Sequence, residues 1–288
     1  MQANPTPDQT RALPWSRARR GGVFAMVLLA ALWACGETPA PDPGQDEAPR
    51  PAEPRGELRL LLSPETAPEA PDARIGFIAP AEGERFAVGE PVEVGIQLSG
   101  YALRVPTPTG DERGLARAPD GQHVHLILND RPYRALYDLD EPVVLEDLPA
   151  GTHVLRAFPG RDWHEAVKTP GAFAVRTFHV GEGELSPPID LEGPMLTYSR
   201  PVGEYAGSAA DSILVDFYLS GVRLSPEGYR VRVEVDGVGD ATVNHWAPYL
   251  IVGLPEGEHT VRLHLLDPDG NPVPGEFNRP ERTIRIVR

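Results

Sequence analysis

From about Arg74 onward, apolar and polar residues alternate in short runs separated by glycine and proline turns. No window sustains a 3.6-residue period. A period of two sends successive side chains to opposite faces of a strand, so the pattern predicts an all-β chain. In the first half it predicts strands over 74–80, 91–100, 122–129, 133–139, 142–148, 152–158 and 173–180. The preceding chain is different. Residues 36–72 hold nine prolines among many Glu, Ala and Asp and few large apolar residues. Such a stretch buries too little surface to offset its ordering entropy and is expected to be a disordered or polyproline-like spacer. The run 58–62 (LRLLL) is a local exception, a strand or a docking segment.

The alternating region is an internal repeat. VEVGIQLSG (92–100) matches ILVDFYLSG (213–221), GQHVHLILND (121–130) matches GYRVRVEVDG (228–237), and LPAGTHVLR (148–156) matches LPEGEHTVR (254–262). Each copy then ends in one more strand. Two copies of about a hundred residues with short strands and regular turns suit two tandem immunoglobulin-like β-sandwiches. They are placed at 73–181 and 189–288, with the joint at 181–188.

The copies differ at one end. Val124, Leu126 and Leu128 fall on one strand face, His123, His125 and Ile127 on the other. In the second copy Val231, Val233 and Val235 alternate with Arg230, Arg232, Glu234 and Asp236. The two histidines thus occupy outward positions and are expected to face solvent. Gly100 to Gly121 spans 21 positions and Gly221 to Gly228 spans 7, so the first copy carries 14 extra residues in that loop. Its later loop reads PGRDWHEAVK (159–168). In a sandwich of this kind the two loops share an end and the strands beside them are neighbours. His123, His125, Arg156, Trp163 and His164 are therefore expected to lie close together. Two readings stand: a ligand or metal patch in which His123, His125 and His164 share a copper or zinc ion, or residues packed beneath the inserted loop. Nitrogens more than about 6 Å apart would exclude a shared ion. His153 and His259 recur at one inward position and read as structural. Asp267-Pro268-Asp269-Gly270-Asn271 reads as a hairpin turn, since no glutamate closes it as a calcium loop.

The chain has 288 residues, 27 basic and 42 acidic, for a net charge of −15. Lys168 is its single lysine. This charge argues against a nucleic-acid partner, because phosphate binding needs a basic stripe. Cys35 is the only cysteine, which excludes an intramolecular disulfide and a cysteine-rich metal cage. Arg11, Arg17, Arg19 and Arg20 precede an apolar stretch over 23–34 that is too short to span a bilayer, which takes about 20 residues. Residues 1–34 therefore read as a signal peptide. Leu32-Trp33-Ala34-Cys35 resembles the bacterial lipobox. The resemblance implies that Cys35 is acylated, for example with palmitate, and becomes the mature N-terminus anchored in the lipid bilayer. Residues 35–72 would then be a lipidated tether. Gly36, where aspartate favours inner-membrane retention, implies the outer membrane, facing periplasm or cell surface. The pieces GQHVHLILND, LPAGTHVLRAFPGRDWHE and LPEGEHTVRLHLLD resemble bacterial lipoproteins with tandem immunoglobulin-like domains. That likeness covers 74–288 and implies a fold without a reaction.

Little points to catalysis. Acylation removes Cys35 as a nucleophile, no G-x-S-x-G elbow or phosphate-cradling glycine loop occurs, and Asp138, Asp140 and Glu141 read as a solvated turn. The expectation is a non-enzymatic, membrane-anchored protein without a cofactor, binding or scaffolding an envelope protein or glycan. The alternatives are a periplasmic copper or zinc protein using the histidines, and a carbohydrate-binding accessory module with Trp163 as stacking platform.

Overall fold

A computed structural model describes residues 56–63, 68–108, 115–182 and 190–288. The signal peptide, Cys35, much of the spacer and most of the joint lie outside the described residues. Two short strands come first, β1 (Gly56–Glu57) and β2 (Leu60–Leu62). The first repeat follows with β3 (Arg74–Ala79), β4 (Glu84–Phe86), β5 (Val92–Ser99), β6 (His123–Leu128), β7 (Arg134–Leu136), β8 (Val143–Leu145), β9 (Gly151–Gly160) and β10 (Ala174–Val180). The second repeat holds β11 (Met195–Arg200), β12 (Gly203–Ala206), a 3₁₀ turn (Gly207–Ala210), β13 (Ser212–Ser220), β14 (Arg230–Val235), β15 (Gly239–Val243), β16 (Tyr249–Val252), β17 (Gly257–Leu266) and β18 (Glu281–Val287).

The first repeat folds as two sheets, β3-β5-β8 against β4-β10-β9-β6-β7, with β4 parallel to β10 and every other pairing antiparallel. The second repeats this order as β11-β13-β16 against β12-β18-β17-β14-β15. Both are immunoglobulin-like sandwiches. Their cores are the inward halves of the alternating strands: Val92, Val94, Ile96, Val124, Leu126 and Leu128 in one, Val231, Val233, Val235, Val261, Leu263 and Leu265 in the other. Identical turn chemistry follows the second sheet strand of each copy. Gly100 (φ +67°) and Gly221 (φ +66°) both sit where a Cβ would come within 2.0–2.2 Å of a backbone oxygen, of Asp72 and Gly193 respectively. Only glycine fits there.

The excepted run 58–62 is a strand that docks on the second sandwich, so that sandwich takes in residues from within the expected spacer as well as from 189–288. β2 runs antiparallel to β16 (Leu60↔Ile251, Leu62↔Tyr249), and β1 runs parallel to β15. The Ser63 amide donates to the Pro248 carbonyl at 2.9 Å, and Val252 donates to Arg59 at 3.2 Å. Leu58 is buried in the second core, with Leu60 packed beside it. The physical reason is the open edge of a sheet, which offers unpaired amides and carbonyls to any compatible strand. The five-residue apolar run supplies that strand from inside a proline-rich segment. The Ser63 amide is accordingly expected to be protected in native-state hydrogen exchange. Open-chain exchange at Ser63 would restore the spacer reading.

The two sandwiches pack face to face. Ile127 and Phe158 on β6 and β9 meet Tyr218 on β13, with Phe158 and Tyr218 ring centroids 5.6 Å apart. Trp163 meets Leu214 and Leu250. The expectation of a solvent-facing outer surface therefore holds for the half-buried Arg230, Arg232 and Glu234 of β14 and fails for β6, every residue of which is buried. The second sandwich covers that face.

Candidate functional site

Three of the five predicted residues form one cluster, and neighbours on β6 and β9 place them. His123 and His125 share the outer face of β6, opposite Gly160 and Phe158 of β9. Gly160 leaves the space one ring needs, because a Cβ there would stand 2.8 Å from His125 Nε2. His164 arrives from the loop after β9 with φ +71°. A non-glycine residue holds that left-handed conformation at a cost of about 1–3 kcal/mol. All three side chains are buried, and one nitrogen from each lies within 4.8 Å of the others.

The hydrogen bonds set the protons. His123 Nδ1 donates to the Gly121 carbonyl at 2.9 Å, leaving the lone pair on Nε2. That Nε2 lies 3.0 Å from His125 Nε2 and 3.1 Å from His164 Nδ1. His125 Nδ1 is 3.1 Å from Ser199 Oγ of the second sandwich. Tyr133 stacks on His125 with centroids 3.7 Å apart and planes 2° apart, and its hydroxyl lies 3.1 Å from His164 Nδ1. Arg200, also from the second sandwich and buried, donates to the Tyr133 hydroxyl, the Val202 carbonyl and the Tyr205 hydroxyl. Burial holds His123 down to about 4, with the Arg200 charge adding to it against the Gly121 bond. Burial and neighbouring charges also keep His125 and His164 well below the ordinary imidazole range. Burial thus favours the neutral form of all three rings.

Arg156 and Trp163 take other roles. Arg156 is buried on the same face but away from the rings, donating to the Leu196 carbonyl at 3.3 Å, Thr197 Oγ1 at 3.1 Å and the Asn129 carbonyl. Its guanidinium lies 4.1 Å over the Phe277 ring. Trp163 is 1% exposed and donates to Glu165 Oε2 at 2.8 Å. No sugar can stack on it, which corrects the platform reading. The loop carrying it is a clamp: Asp162 holds Arg117 at 3.1 Å, the Ala166 amide donates to Asp216 at 2.8 Å, and Lys168 pairs with the same buried carboxylate. His153 and His259 donate identically, from Nε2 to the Pro149 and Pro255 carbonyls at 2.9 Å, as structural residues. Asn271 closes the predicted hairpin turn onto Asp267.

Sequence reasoning missed Tyr133, Ser199, Arg200 and Gly160. The last could be read from its place opposite His123 in the β6–β9 register. Ser199 and Arg200 carry no local signal, because they reach the cluster only through the docking of one copy on the other.

The fold and cluster thus define a tandem immunoglobulin-like protein with a buried imidazole trio at its internal interface. No protein-family model matches the chain, and no curated protein does. Similar solved structures include the fibronectin(III)-like modules of Clostridium thermocellum CbhA, at 14% identity over 74% of this chain and 93% of that one, TM-score 0.26. The central fibronectin-III array of RIM-binding protein is 13% identical over 78% and 71%, TM-score 0.25. SGBP-B from the Bacteroides ovatus mixed-linkage glucan utilization locus is 12% identical over 75% and 48%, TM-score 0.21. None of these likenesses brings a function or a site to this chain.

Proposed function

We propose that the chain is a non-enzymatic lipoprotein of the bacterial cell envelope. Acylated Cys35 anchors it in the outer membrane, and the two joined sandwiches bind or scaffold an envelope protein or glycan at their surface. The size of the cavities supports surface binding over chemistry on an enclosed substrate. Two cavities among the described residues, one beside Trp163 and His164 and one beside Thr152 and His179, measure about 10 and 130 Å³, whereas pockets that engulf small organic molecules run to about 300–1,000 Å³. The spent outer faces of β6, β9, β11 and β13 leave any partner the remaining surface of one two-part body. The Leu32-to-Cys35 motif supports the anchor, since several acyl chains hold a protein firmly where one binds only marginally.

Cys35→Ser is expected to leave the membrane fraction, appearing soluble or as uncleaved precursor. Full-yield fractionation of this variant with membranes would refute the anchor. Affinity capture of the lipidated protein from detergent-solubilised membranes tests the binding role. A stable envelope partner lost on competition with the soluble two-sandwich body supports it. Turnover of a substrate by the isolated protein overturns it.

A further inference from the structure

We propose that His123, His125 and His164 form a three-imidazole site for one copper(I) ion, at the junction of the two sandwiches. The inference goes beyond the envelope role and does not depend on it. The donor set comes first. His123 and His125 each have Nδ1 engaged, by the Gly121 carbonyl and by Ser199 Oγ, and their Nε2 atoms are 3.0 Å apart. A ligating histidine usually has its second nitrogen held in this way, fixing tautomer and ring orientation. With metal–nitrogen bonds near 2.0–2.1 Å, bound nitrogens sit about 3.3–3.6 Å apart. The 3.0 and 3.1 Å pairs need to open by a few tenths of an ångström, and the remaining pair, between His125 and His164, lies within 4.8 Å.

Proton accounting argues for an ion. His123 Nε2 has one lone pair, yet faces two imidazole nitrogens at 3.0 and 3.1 Å. His164 Nδ1, one of those two, also faces the Tyr133 hydroxyl at 3.1 Å. A buried polar network left in this state is costly. An ion drawing one lone pair from each ring turns three crowded nitrogens into three ligands. The left-handed backbone of His164 and the space kept by Gly160 belong to the arrangement that brings the three rings together.

Charge selects the ion. The three ligands are neutral, and the partners of buried Arg200 are two phenols and a carbonyl. The one carboxylate that acts on His123, Asp162, is already paired with Arg117 at 3.1 Å, and the Arg200 guanidinium repels a dication. A monovalent d¹⁰ ion carries half the charge, and imidazole is an accepted copper ligand. The ligands come from one sandwich while Ser199 and Arg200 come from the other, so the occupied site links the two.

The test titrates copper(I), anaerobically and against a chromophoric copper(I) chelator, into the full chain purified in detergent and stripped of metal. One ion per chain is expected. On binding, ring resonances of His123, His125 and His164 should shift while those of the other five histidines stay put. Ser199→Ala, which removes only the tie on His125, should weaken binding about 10-fold. His164→Gln should weaken it at least about 100-fold, with folding checked by circular dichroism. Folded wild-type protein that takes up no copper(I) overturns the proposal. So do shifts confined to other histidines, or zinc(II) bound more tightly than copper(I).

Discussion

Lys168→Met is expected to destabilise the protein by about 3–5 kcal/mol at neutral pH, because it leaves a buried carboxylate without its cation. Asp216 is fully buried on the outer face of β13. One oxygen accepts the Ala166 amide at 2.8 Å and the other is paired with the Lys168 ammonium, itself 17% exposed. The chain's single lysine is thus spent on an ion pair between the sandwiches. Burial already pushes the Asp216 carboxyl upward, and Lys168 opposes that push. Without the lysine, the native state at pH 7 holds a naked charge or takes up a proton that the unfolded chain, titrating near 3.9, does not bind. The deficit is therefore largest at neutral pH and shrinks as the pH falls, being lost below about 4, where the carboxyl becomes protonated in the unfolded chain as well. A fall in Tm of roughly 6–20 °C corresponds. Adding Asp216→Asn should return most of the loss, which a lysine acting only by packing does not predict. A Lys168→Met protein as stable as its parent at pH 7 would show the pair to be energetically idle.

The strands were legible because two faces with different surroundings leave a period of two. β14, reading RVRVEV, has its valines buried and its charges half-buried. Strands β3, β5, β6 and β10 fall within their predicted spans. β4 escaped because three residues, one acid and one base among them, make no pattern. The docking of the copies had a signal that a search for alternation passes over. β13 reads SILVDFYLS, with Ile213 and Leu214 both buried and Val215, Phe217, Tyr218 and Leu219 following them. A strand apolar on both faces is covered on both. Ile127 and Phe158 on the outward faces of β6 and β9 say the same. The histidine trio was legible because its members share one sandwich, where strand register and loop placement suffice. Their burial was one of the two readings, beneath the inserted loop, and Leu115 and Arg117 of that loop do pack on Trp163 and Asp162. The further cover by Ser199 and Arg200 was not legible, since it depends on the other copy.

Leu58→Ala is expected to cost about 2–5 kcal/mol, the range for truncating a large side chain in a packed core. Leu58 stands between β1 and β2, is 3% exposed, and packs into the core of the second sandwich more than 130 residues further along the chain. The side chain enters as the chain crosses from the edge of one sheet to the edge of the other. Truncation leaves a cavity and loosens both added strands, baring the edges of β15 and β16 to other chains. Leu62→Ala is the matched control: four residues along and 56% exposed, it should change stability by no more than about 0.5 kcal/mol. Denaturant unfolding of the two variants reads the difference as a shift in midpoint at nearly constant slope. A free spacer predicts that both substitutions are silent. A clip that closes the second sandwich predicts that only Leu58 matters, and equal midpoints for the two variants would exclude it.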